Sequence, residues 1–267
     1  MARQKLGQHF LRDAGWRRKI VETLPPAAGG TWIEIGAGHG EVTQSLAGGS
    51  RRVVAIETDA GLAKRLKERI GNDPESWPGV EIVHADVLSL DLAEVAGLVG
   101  GKFRVYGNLP YYITSPILRH LFRWAGRIDS IHIVVQLEVA ARIVARPGRR
   151  EYGYLSALCQ FYTRPEIVLR IPPGAFRPPP RVASALLRMT LPGERASLGV
   201  AGGEEGAFLD FIQACFGQKR KTLRNNLRAQ ADDNRIAAAL ESCDVRPDAR
   251  AEQLSLAQFA ALLRNLQ

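Results

Sequence analysis

The stretch WIEIGAGHGEV, residues 32–42, determines the fold of this chain. A short apolar run ends at Ile35, glycines follow at Gly36, Gly38 and Gly40, and a helical pattern begins directly after them. Glycine has no Cβ, so the backbone can turn tightly there and come close to a ligand. In open α/β sheets, ligands bind at the carboxyl ends of the strands. The stretch therefore predicts a strand, a ligand-binding turn and a helix.

Short apolar runs alternate with helical patterns on both sides of this stretch. Strands separated by helices favour a parallel sheet with right-handed crossovers. Two later runs, 166–171 and 183–190, are expected to add a terminal antiparallel pair. The parallel strands are predicted at 31–35, 52–57, 81–86, 103–108 and 130–136, with helices among them at 41–46, 61–70 and 115–124.

The pattern changes after residue 190. Residues 191–206 (LPGERASLGVAGGEEG) predict a linker. Beyond it, apolar residues recur at i, i+3, i+4, i+7 and i+8, which is typical of one helix face; they are Phe208, Phe211, Ile212, Cys215 and Phe216. Three more short helices are expected, the last near 256–266. We predict an α/β domain over 1–190, beginning with a separate segment 1–24, and an all-helical domain over 207–267.

The charge of the chain favours an anionic partner. The net charge is +9 and the pI about 9.8, and such a balance is common in proteins that bind nucleic acid. Acids and bases are equal in number from Leu191 onward, so the whole excess precedes it. The tail still holds one basic run without an acid, which predicts RNA backbone contact or, alternatively, a solvated helix face; it comprises Lys219, Arg220, Lys221, Arg224 and Arg228.

Several kinds of site and location are not expected. The three cysteines are far apart and form no C-x-x-C, and the histidines show no metal-ligand spacing, so no metal site is predicted. A sparse, odd number of cysteines fits a reducing cytosol. No apolar run approaches 18 residues and no signal peptide is recognisable. We therefore expect a cytoplasmic protein without a membrane span.

Acidic residues end the two strands that follow the glycine turn. Glu57 is placed to accept hydrogen bonds from ribose hydroxyls, and Asp86 to accept one from an adenine amino group. Two cofactors compete for such a site. Dinucleotides favour G-x-G-x-x-G and place a pyrophosphate at the helix N-terminus. S-adenosylmethionine is a cation without phosphate, so the pattern E-x-G-x-G-x-G with two further acids favours it, and a dinucleotide oxidoreductase is the alternative.

The fourth strand runs into Asn-Leu-Pro-Tyr, residues 108–111. The lone pair of an adenine N6 is delocalised into the purine and is a poor nucleophile. Two acceptors, the Asn108 side-chain oxygen and the Pro110 carbonyl, can hold its two protons and aim the lone pair at a methyl sulfonium. Tyr111 offers a face for stacking the target base. Catalysis would then be positioning and electrostatics; the simpler alternative is a turn that ends a strand.

These motifs resemble those of the KsgA-type family, the small-subunit rRNA adenine dimethyltransferases. The resemblance spans nearly the whole chain. It implies cofactor contacts at His9 and Leu11, within a segment that closes over the cofactor, and at Gly36, Glu57, Asp86 and Asn108. It also implies that Phe176 helps to sandwich a flipped adenine, although the flanking prolines alone would suit a core aromatic. The motifs include K-L-G-Q-H-F-L (5–11), P-P-G-A-F-R-P-P-P-R-V (172–182) and F-G-Q-K-R-K-T-L-R-N-N-L (216–227).

The sequence thus predicts a Rossmann-like class I methyltransferase sheet followed by a small all-helical domain. The resemblance implies S-adenosylmethionine-dependent dimethylation of N6 on two adjacent adenosines near the 3′ end of 16S rRNA. The substrate would be the small ribosomal subunit or its precursor, and the enzyme a monomer acting in small-subunit biogenesis. The alternatives are a large-subunit rRNA adenine methyltransferase of the macrolide-resistance type and a non-catalytic RNA-binding assembly factor.

Overall fold

A computed structural model describes residues 9–25, 27–97, 101–110 and 113–266. Two predicted features lie outside the described residues: the first part of the closing segment, residues 5–8, and the aromatic Tyr111 of the Asn-Leu-Pro-Tyr loop.

One seven-stranded sheet contains most of the strands. It is built from β2 (Ala27–Ile35), β3 (Ser50–Glu57), β4 (Val80–His84), β5 (Phe103–Asn108), β6 (Ile128–Gln136), β7 (Arg164–Ile171) and β9 (Ser184–Thr190). Their order across the sheet is β4-β3-β2-β5-β6-β9-β7. The first five are joined in parallel, and β9 runs antiparallel to β6. The predicted parallel sheet is therefore confirmed.

Two short segments form a separate antiparallel pair. These are β1 (Phe10–Leu11) and β8 (Phe176–Arg177), with Leu11 opposite Phe176. The pairing joins the start of the chain to the proline-rich segment, which the sequence did not predict.

One predicted strand is too long. The strand expected over 81–86 ends at His84, because the side chain of Asp86 accepts a hydrogen bond from the backbone N–H of Leu88 and caps a 3₁₀ helix over Val87–Ser89. An aspartate that caps a helix has left the extended ladder.

Helices alternate with the strands along the chain and continue alone after the last strand. Aspartates cap several of them: Asp13 accepts from Trp16 N at the start of the first helix, and Asp59 from Gly61 N at the start of the third. The helices are α1 (Ala14–Thr23), α2 (Glu41–Ala47), α3 (Ala60–Asn72), α4 (Leu92–Val95), α5 (Thr114–Phe122), α6 (Leu137–Val144), α7 (Tyr154–Tyr162), α8 (Glu205–Cys215), α9 (Leu223–Leu227), α10 (Asp233–Ser242) and α11 (Leu256–Leu266). No helix within the described ranges has the length and apolar character needed to cross a bilayer.

A hydrophobic core fixes the strand that carries the glycine turn. Ile20 of α1, Leu46 of α2 and Phe176 belong to the same buried cluster as Trp32 on β2 and Val53 on β3. Burying each large apolar side chain contributes roughly 1.5–3 kcal/mol. The core thereby holds the carboxyl end of β2, and the turn that follows it, in a fixed place.

The chain divides into two compact units. The first comprises residues 1–140 and 166–191, and the second 141–165 and 192–267. The second unit thus adds residues 141–165 to the helical part, whereas the predicted α/β domain, 1–190, had included them. The predicted linker, 191–206, contains a 3₁₀ helix over Glu194–Ser197 and a buried Leu198. The division into 1–190, 191–206 and 207–267 remains a proposal.

Candidate active site

Four neighbouring strands bring the predicted cofactor residues to one edge of the sheet. The glycine turn follows β2, Glu57 ends β3, Asp86 comes two residues after β4, and Asn108 ends β5. These strands lie side by side in the order β4-β3-β2-β5, about 4.8 Å apart. Strands β3 and β4 lie on one side of β2, and the next strand along the chain, β5, lies on its other side. The strand order therefore reverses at β2, which makes this edge a topological switch point. Ligands of open α/β sheets bind at such a point.

The glycine turn needs glycine for two distinct reasons. Gly36, Gly38 and Gly40 have φ values of 77°, 60° and 82°. Residues with a Cβ rarely adopt this region of backbone conformation. At Gly40 there is also no room, because a Cβ would lie 2.5 Å from a methyl carbon of Leu66 and 2.9 Å from the ring of Trp77. The turn therefore rests on α3 and on the loop after it. Sequence reasoning did not single out this supporting role of Trp77.

Glu57 holds the glycine turn from the adjacent strand. Its Oε2 accepts a hydrogen bond from Gly38 N at 2.8 Å, and its Oε1 accepts one from Asp59 N at 2.9 Å. The residue is only 4% exposed. A carboxylate has about four lone-pair sites, so each oxygen can still accept from a ribose hydroxyl. Glu57 is thus a structural support that retains acceptor capacity for a ligand.

Asp86 is exposed, in contrast to Glu57. Its Oδ1 accepts from Leu88 N at 3.0 Å, and this helix cap is sufficient to explain an aspartate at the position. A contact between Asp86 and an adenine amino group remains a prediction.

Residues 9–11 join the glycine turn to the Asn-Leu-Pro-Tyr loop. The side-chain Nδ2 of Asn108 donates to the main-chain oxygen of His9 at 2.9 Å. The ring of Phe10 lies 4.9 Å, centroid to centroid, from that of His39, and a Cβ on Gly38 would come within 3.3 Å of it. The His9 ring also donates from Nδ1 to the carbonyl of Pro178 at 2.7 Å. The described part of the predicted closing segment therefore contacts both motifs.

Leu11 anchors the other end of this segment in the hydrophobic core. It is 6% exposed, belongs to the hydrophobic core and pairs with Phe176. As described, Leu11 is a core residue at the edge of the site, and its contact with a cofactor remains a prediction.

The Pro110 carbonyl already accepts two hydrogen bonds. Ile113 N donates to it at 3.2 Å and Thr114 Oγ1 at 3.3 Å, where the loop turns into α5. Both lone pairs of the oxygen are thereby used. Pro110 can meet an N6 proton only if one of these bonds yields, so Asn108 is the stronger of the two predicted acceptors.

Phe176 is buried and offers no open face to a base. It is 1% exposed and packs in the core with Leu11 and Ile171. The alternative considered from the sequence, a core aromatic, is therefore what the structure describes. Stacking on an adenine would require its neighbours to move, and that role remains a prediction.

Part of the basic run is paired with an acid, contrary to the pattern along the sequence. Asp233 Oδ1 lies 3.4 Å from Arg224 Nε and 3.2 Å from Arg228 Nε, and the hydrogen bond from Arg228 lowers the pKa of Asp233. Lys219, Arg220 and Lys221 are exposed, and no carboxylate of the described residues pairs with them. The basic run therefore contains two sets of cations: Arg224 and Arg228 share a carboxylate, whereas the three residues 219–221 can pair with an external anion.

Asn226 gives the three free cations a fixed backbone. Its Nδ2 donates to the carbonyl of Cys215 at 2.7 Å, and its Oδ1 accepts from Gln218 N at 3.2 Å. Lys221 N in turn donates to Gln218 O at 3.0 Å. These bonds define a turn over residues 218–221, named here the Lys219 turn. Asn226 therefore shapes the basic surface from beneath, a role that its place beside the run did not reveal.

A buried carboxyl group lies just before the glycine turn. Glu34 is 2% exposed, and burial, reinforced by the charges of Glu41 and Glu57, raises its pKa from 4.5 to about 8. Tyr106 is its partner across β2 and β5, and burial raises the pKa of its phenol as well. Glu34 Oε2 and the Tyr106 hydroxyl have no hydrogen-bond partner within the described chain. A glutamate inside a buried strand was the sequence signal for this group.

No set of three or more histidine, cysteine, aspartate or glutamate side chains in the described part of the chain is arranged to hold a metal ion. His132 is buried, and burial lowers its pKa to about 4. It is a core residue whose Nε2 lies 3.0 Å from Ser130 Oγ.

Comparisons with known proteins give a family match along the whole chain. The family model described as "Ribosomal RNA adenine dimethylase" matches residues 1–267. A curated relative from Acidobacterium capsulatum, "Ribosomal RNA small subunit methyltransferase A", is 46% identical over 264 residues, which are 98% of this chain and 90% of the relative.

Two solved structures are similar along almost their whole length. A dimethyladenosine transferase from Plasmodium falciparum aligns with a TM-score of 0.78 and 23% identity, covering 96% of each chain, which supports the fold. The 23S rRNA methyltransferase ErmE aligns with a TM-score of 0.69 and 26% identity, covering 96% of this chain and 99% of its own.

Proposed function

The chain belongs to the ribosomal RNA adenine dimethylase family, and we propose that it dimethylates N6 of two adjacent adenosines near the 3′ end of 16S rRNA with S-adenosylmethionine as methyl donor. It is an rRNA adenine dimethyltransferase. The methyl donor, the two positions and the form of the substrate are the proposed parts.

One observation carries the proposal, namely the orientation of Asn108. Its Nδ2 faces the His9 carbonyl at 2.9 Å, and a carbonyl can only accept. The amide oxygen is therefore directed away from His9, at the end of β5, where the switch point places a ligand. An acceptor held in this way can take one N6 proton and favour a pyramidal nitrogen. Direct methyl transfer forms no covalent intermediate with the enzyme. Its catalysis therefore depends on holding the reacting groups in a fixed orientation.

The residues at the strand ends fit S-adenosylmethionine. Glu57 retains acceptor capacity for ribose hydroxyls, and the exposed Asp86 can accept from an adenine amino group. The backbone of Gly36, where an added Cβ would meet only the Asn108 carbonyl oxygen at 3.9 Å, permits close approach. Acids next to the site suit a cation, whereas a pyrophosphate would be repelled by them. When bound, S-adenosylmethionine supplies a methyl group on a sulfonium, and the chain supplies position and proton acceptors.

Two successive methyl transfers to N6 are compatible with a single strong acceptor for its protons. N6 carries two hydrogens at first and one after the first methylation. Asn108 can hold the remaining proton in the second step, when the Pro110 carbonyl is not needed. The occupied Pro110 oxygen therefore limits the first transfer more than the second. Phe176 and Tyr111 are proposed to receive the flipped base, with Phe176 becoming accessible by movement of β1 beside it.

The substrate is proposed to be the small subunit rather than the large one. Curated relatives at 40–46% identity carry the name "Ribosomal RNA small subunit methyltransferase A". The large-subunit enzyme ErmE is 26% identical. Every adenine presents the same edge to the pocket, so the choice of adenosine has to come from RNA shape. A ribosomal substrate also supports the expected cytoplasmic location.

Product mapping tests the proposal. The protein is incubated with labelled S-adenosylmethionine and small subunits that lack the modification, and the rRNA is digested and analysed by mass spectrometry. We expect dimethyladenosine at two adjacent positions near the 3′ end of 16S rRNA, and little product on short unstructured RNA. Finding monomethyladenosine alone, or label confined to large-subunit rRNA, would overturn the proposed function and favour a large-subunit rRNA methyltransferase of the macrolide-resistance type.

A further inference from the structure

The short antiparallel ladder of β1 and β8 places two arginines side by side. Phe10 of β1 lies opposite Arg177 of β8, and Arg12 continues the ladder, because its N–H donates to Ala175 O at 3.0 Å. Arg12 and Arg177 are therefore diagonal neighbours across the ladder, with Cβ atoms about 7 Å apart. These two residues are named here the arginine pair.

The two faces of this ladder differ in character. Successive side chains of a strand point to opposite faces, and Leu11 and Phe176 are buried in the core on one of them. The arginine pair belongs to the other face, and both of its members are exposed. Phe10 shares that face, and its ring lies 4.9 Å, centroid to centroid, from the ring of His39 in the glycine turn. The arginine pair therefore lies beside the proposed cofactor site.

Hydrogen bonds connect the same ladder to the proposed acceptor of N6 protons. The Asn108 amide donates to His9 O at 2.9 Å, and His9 Nδ1 lies 2.7 Å from Pro178 O. Arg177 directly precedes Pro178, and Arg12 follows His9 by three positions. The arginine pair is therefore held next to the place where the target adenine is proposed to meet Asn108.

Folding alone gives no reason for two cations at these positions. Through the ranges that the structure describes, no carboxylate forms an ion pair with either arginine. The neighbouring acid, Asp13, accepts a hydrogen bond from Trp16 N and caps α1. Like charges on adjacent strands repel each other and destabilise the ladder. A bound anion would remove this repulsion, and the planar fork of a guanidinium matches the oxygens of a phosphate.

We propose that Arg12 and Arg177 together hold one phosphate that flanks the target adenosine. The inference rests on the proposed function, since that function makes RNA the substrate. A flipped base turns about its own backbone, so its flanking phosphates stay outside while the base moves in towards Asn108. Two guanidiniums on one phosphate would fix the position of that nucleotide. The arginine pair would therefore raise the rate of methyl transfer more than the affinity for the subunit, which is spread over many phosphate contacts.

The test is a double-mutant cycle on single-turnover methylation of unmethylated small subunits by the full chain. At saturating subunit and cofactor, Arg12→Gln and Arg177→Gln should each slow methyl transfer by about 10-fold. The double glutamine variant should be faster, by at least ~3-fold, than the product of the two single effects, because either change alone already loosens the same phosphate. Its binding to subunits should lose roughly 0.7–0.9 in the slope of log K against log salt, which is the value for one phosphate.

Three controls make the result specific. Arg65→Gln with Lys67→Gln removes the same charge from exposed positions of α3 and should leave the rate unchanged. Arg12→Lys with Arg177→Lys keeps the charge but not the forks, and should restore part of the rate. The double glutamine variant should bind S-adenosylmethionine as the wild type does, which would show that β1 and β8 remain in place. Multiplicative single effects, an equal loss in the α3 variant, or weaker cofactor binding in the double glutamine variant would overturn the proposal.

The outcome can be separated from that of the proposed function. If the wild type methylates small subunits and the double glutamine variant does so at the same rate, the phosphate site fails and the proposed function stands. If the wild type gives no dimethyladenosine, the proposed function fails, and the salt slope of subunit binding decides on the arginine pair. A loss of the value for one phosphate would then support the site, and an unchanged slope would overturn it.

Discussion

The side-chain amide of Asn108 donates a hydrogen bond to the main-chain carbonyl of His9 at 2.9 Å, across 99 positions of sequence. The bond closes residues 9–11 against the loop that is proposed to hold the target adenine. It also determines which end of the amide is free, because two facing oxygens would repel each other. A residue at the start of the chain thereby orients the proposed acceptor.

Replacing Asn108 should damage turnover more than folding. Asn108→Ala removes the acceptor, and by analogy with a lost oxyanion donor the methylation rate should fall on the order of hundreds-fold. Asn108→Asp keeps an acceptor but loses the donor to His9, so its rate should lie between those of the wild type and Asn108→Ala. Single-turnover rates at saturating cofactor give the comparison. A rate for Asn108→Ala within a few-fold of the wild type would refute the proposed role.

Glu57 and Asp86 should both support cofactor binding but differ in their effect on stability. Loss of a charge-assisted hydrogen bond costs roughly 1.5–3 kcal/mol, so calorimetry on Glu57→Ala and on Asp86→Ala should show weaker S-adenosylmethionine binding. Glu57→Ala should also lower Tm, since Gly38 N and Asp59 N lose their acceptors. The exposed Asp86 holds a local cap, and its variant should melt nearer to the wild type. Wild-type affinity in both variants would exclude the assigned site.

Most of the sheet could be predicted from the sequence, because apolar runs and glycines report on local backbone. Strand β5 was predicted with its observed bounds, Phe103–Asn108. Contacts made by distant side chains could not be predicted. The acceptor capacity of Pro110 depends on how Ile113 and Thr114 fold back on it. The burial of Phe176 depends on β1, which pairs with it from the other end of the chain.

The two sets of cations in the basic run should differ in their contribution to RNA binding. Neutralising Lys219, Arg220 and Lys221 to glutamine should weaken subunit binding and flatten its salt dependence, with roughly one unit of slope lost per phosphate contact. Neutralising Arg224 and Arg228 should do less, because Asp233 already pairs with both.

Asp233→Asn provides the complementary test of this difference. It releases Arg224 and Arg228 without adding a positive charge to the run, so binding should tighten and the salt slope should steepen. Thermal melts would control for loss of the N-terminal acid of α10. A salt slope that stays the same in all of these variants would mean that this face is merely solvated.

The buried Glu34 should make the stability of the chain fall as pH rises. Its pKa is 4.5 when unfolded and about 8 when folded, because burial disfavours the charged form. Between these values the folded state keeps a proton that the unfolded state has lost, so each rise in pH favours unfolding, by a total on the order of a few kcal/mol.

The variant Glu34→Gln tests this pH dependence, because glutamine resembles the protonated carboxyl and does not titrate. Its free energy of unfolding in urea should match that of the wild type near pH 4.5 and exceed it increasingly up to pH 8. Glu22→Gln, at an exposed position of α1, should show no such divergence. A constant difference between Glu34→Gln and the wild type across this range would show that Glu34 does not carry its proton into the folded state.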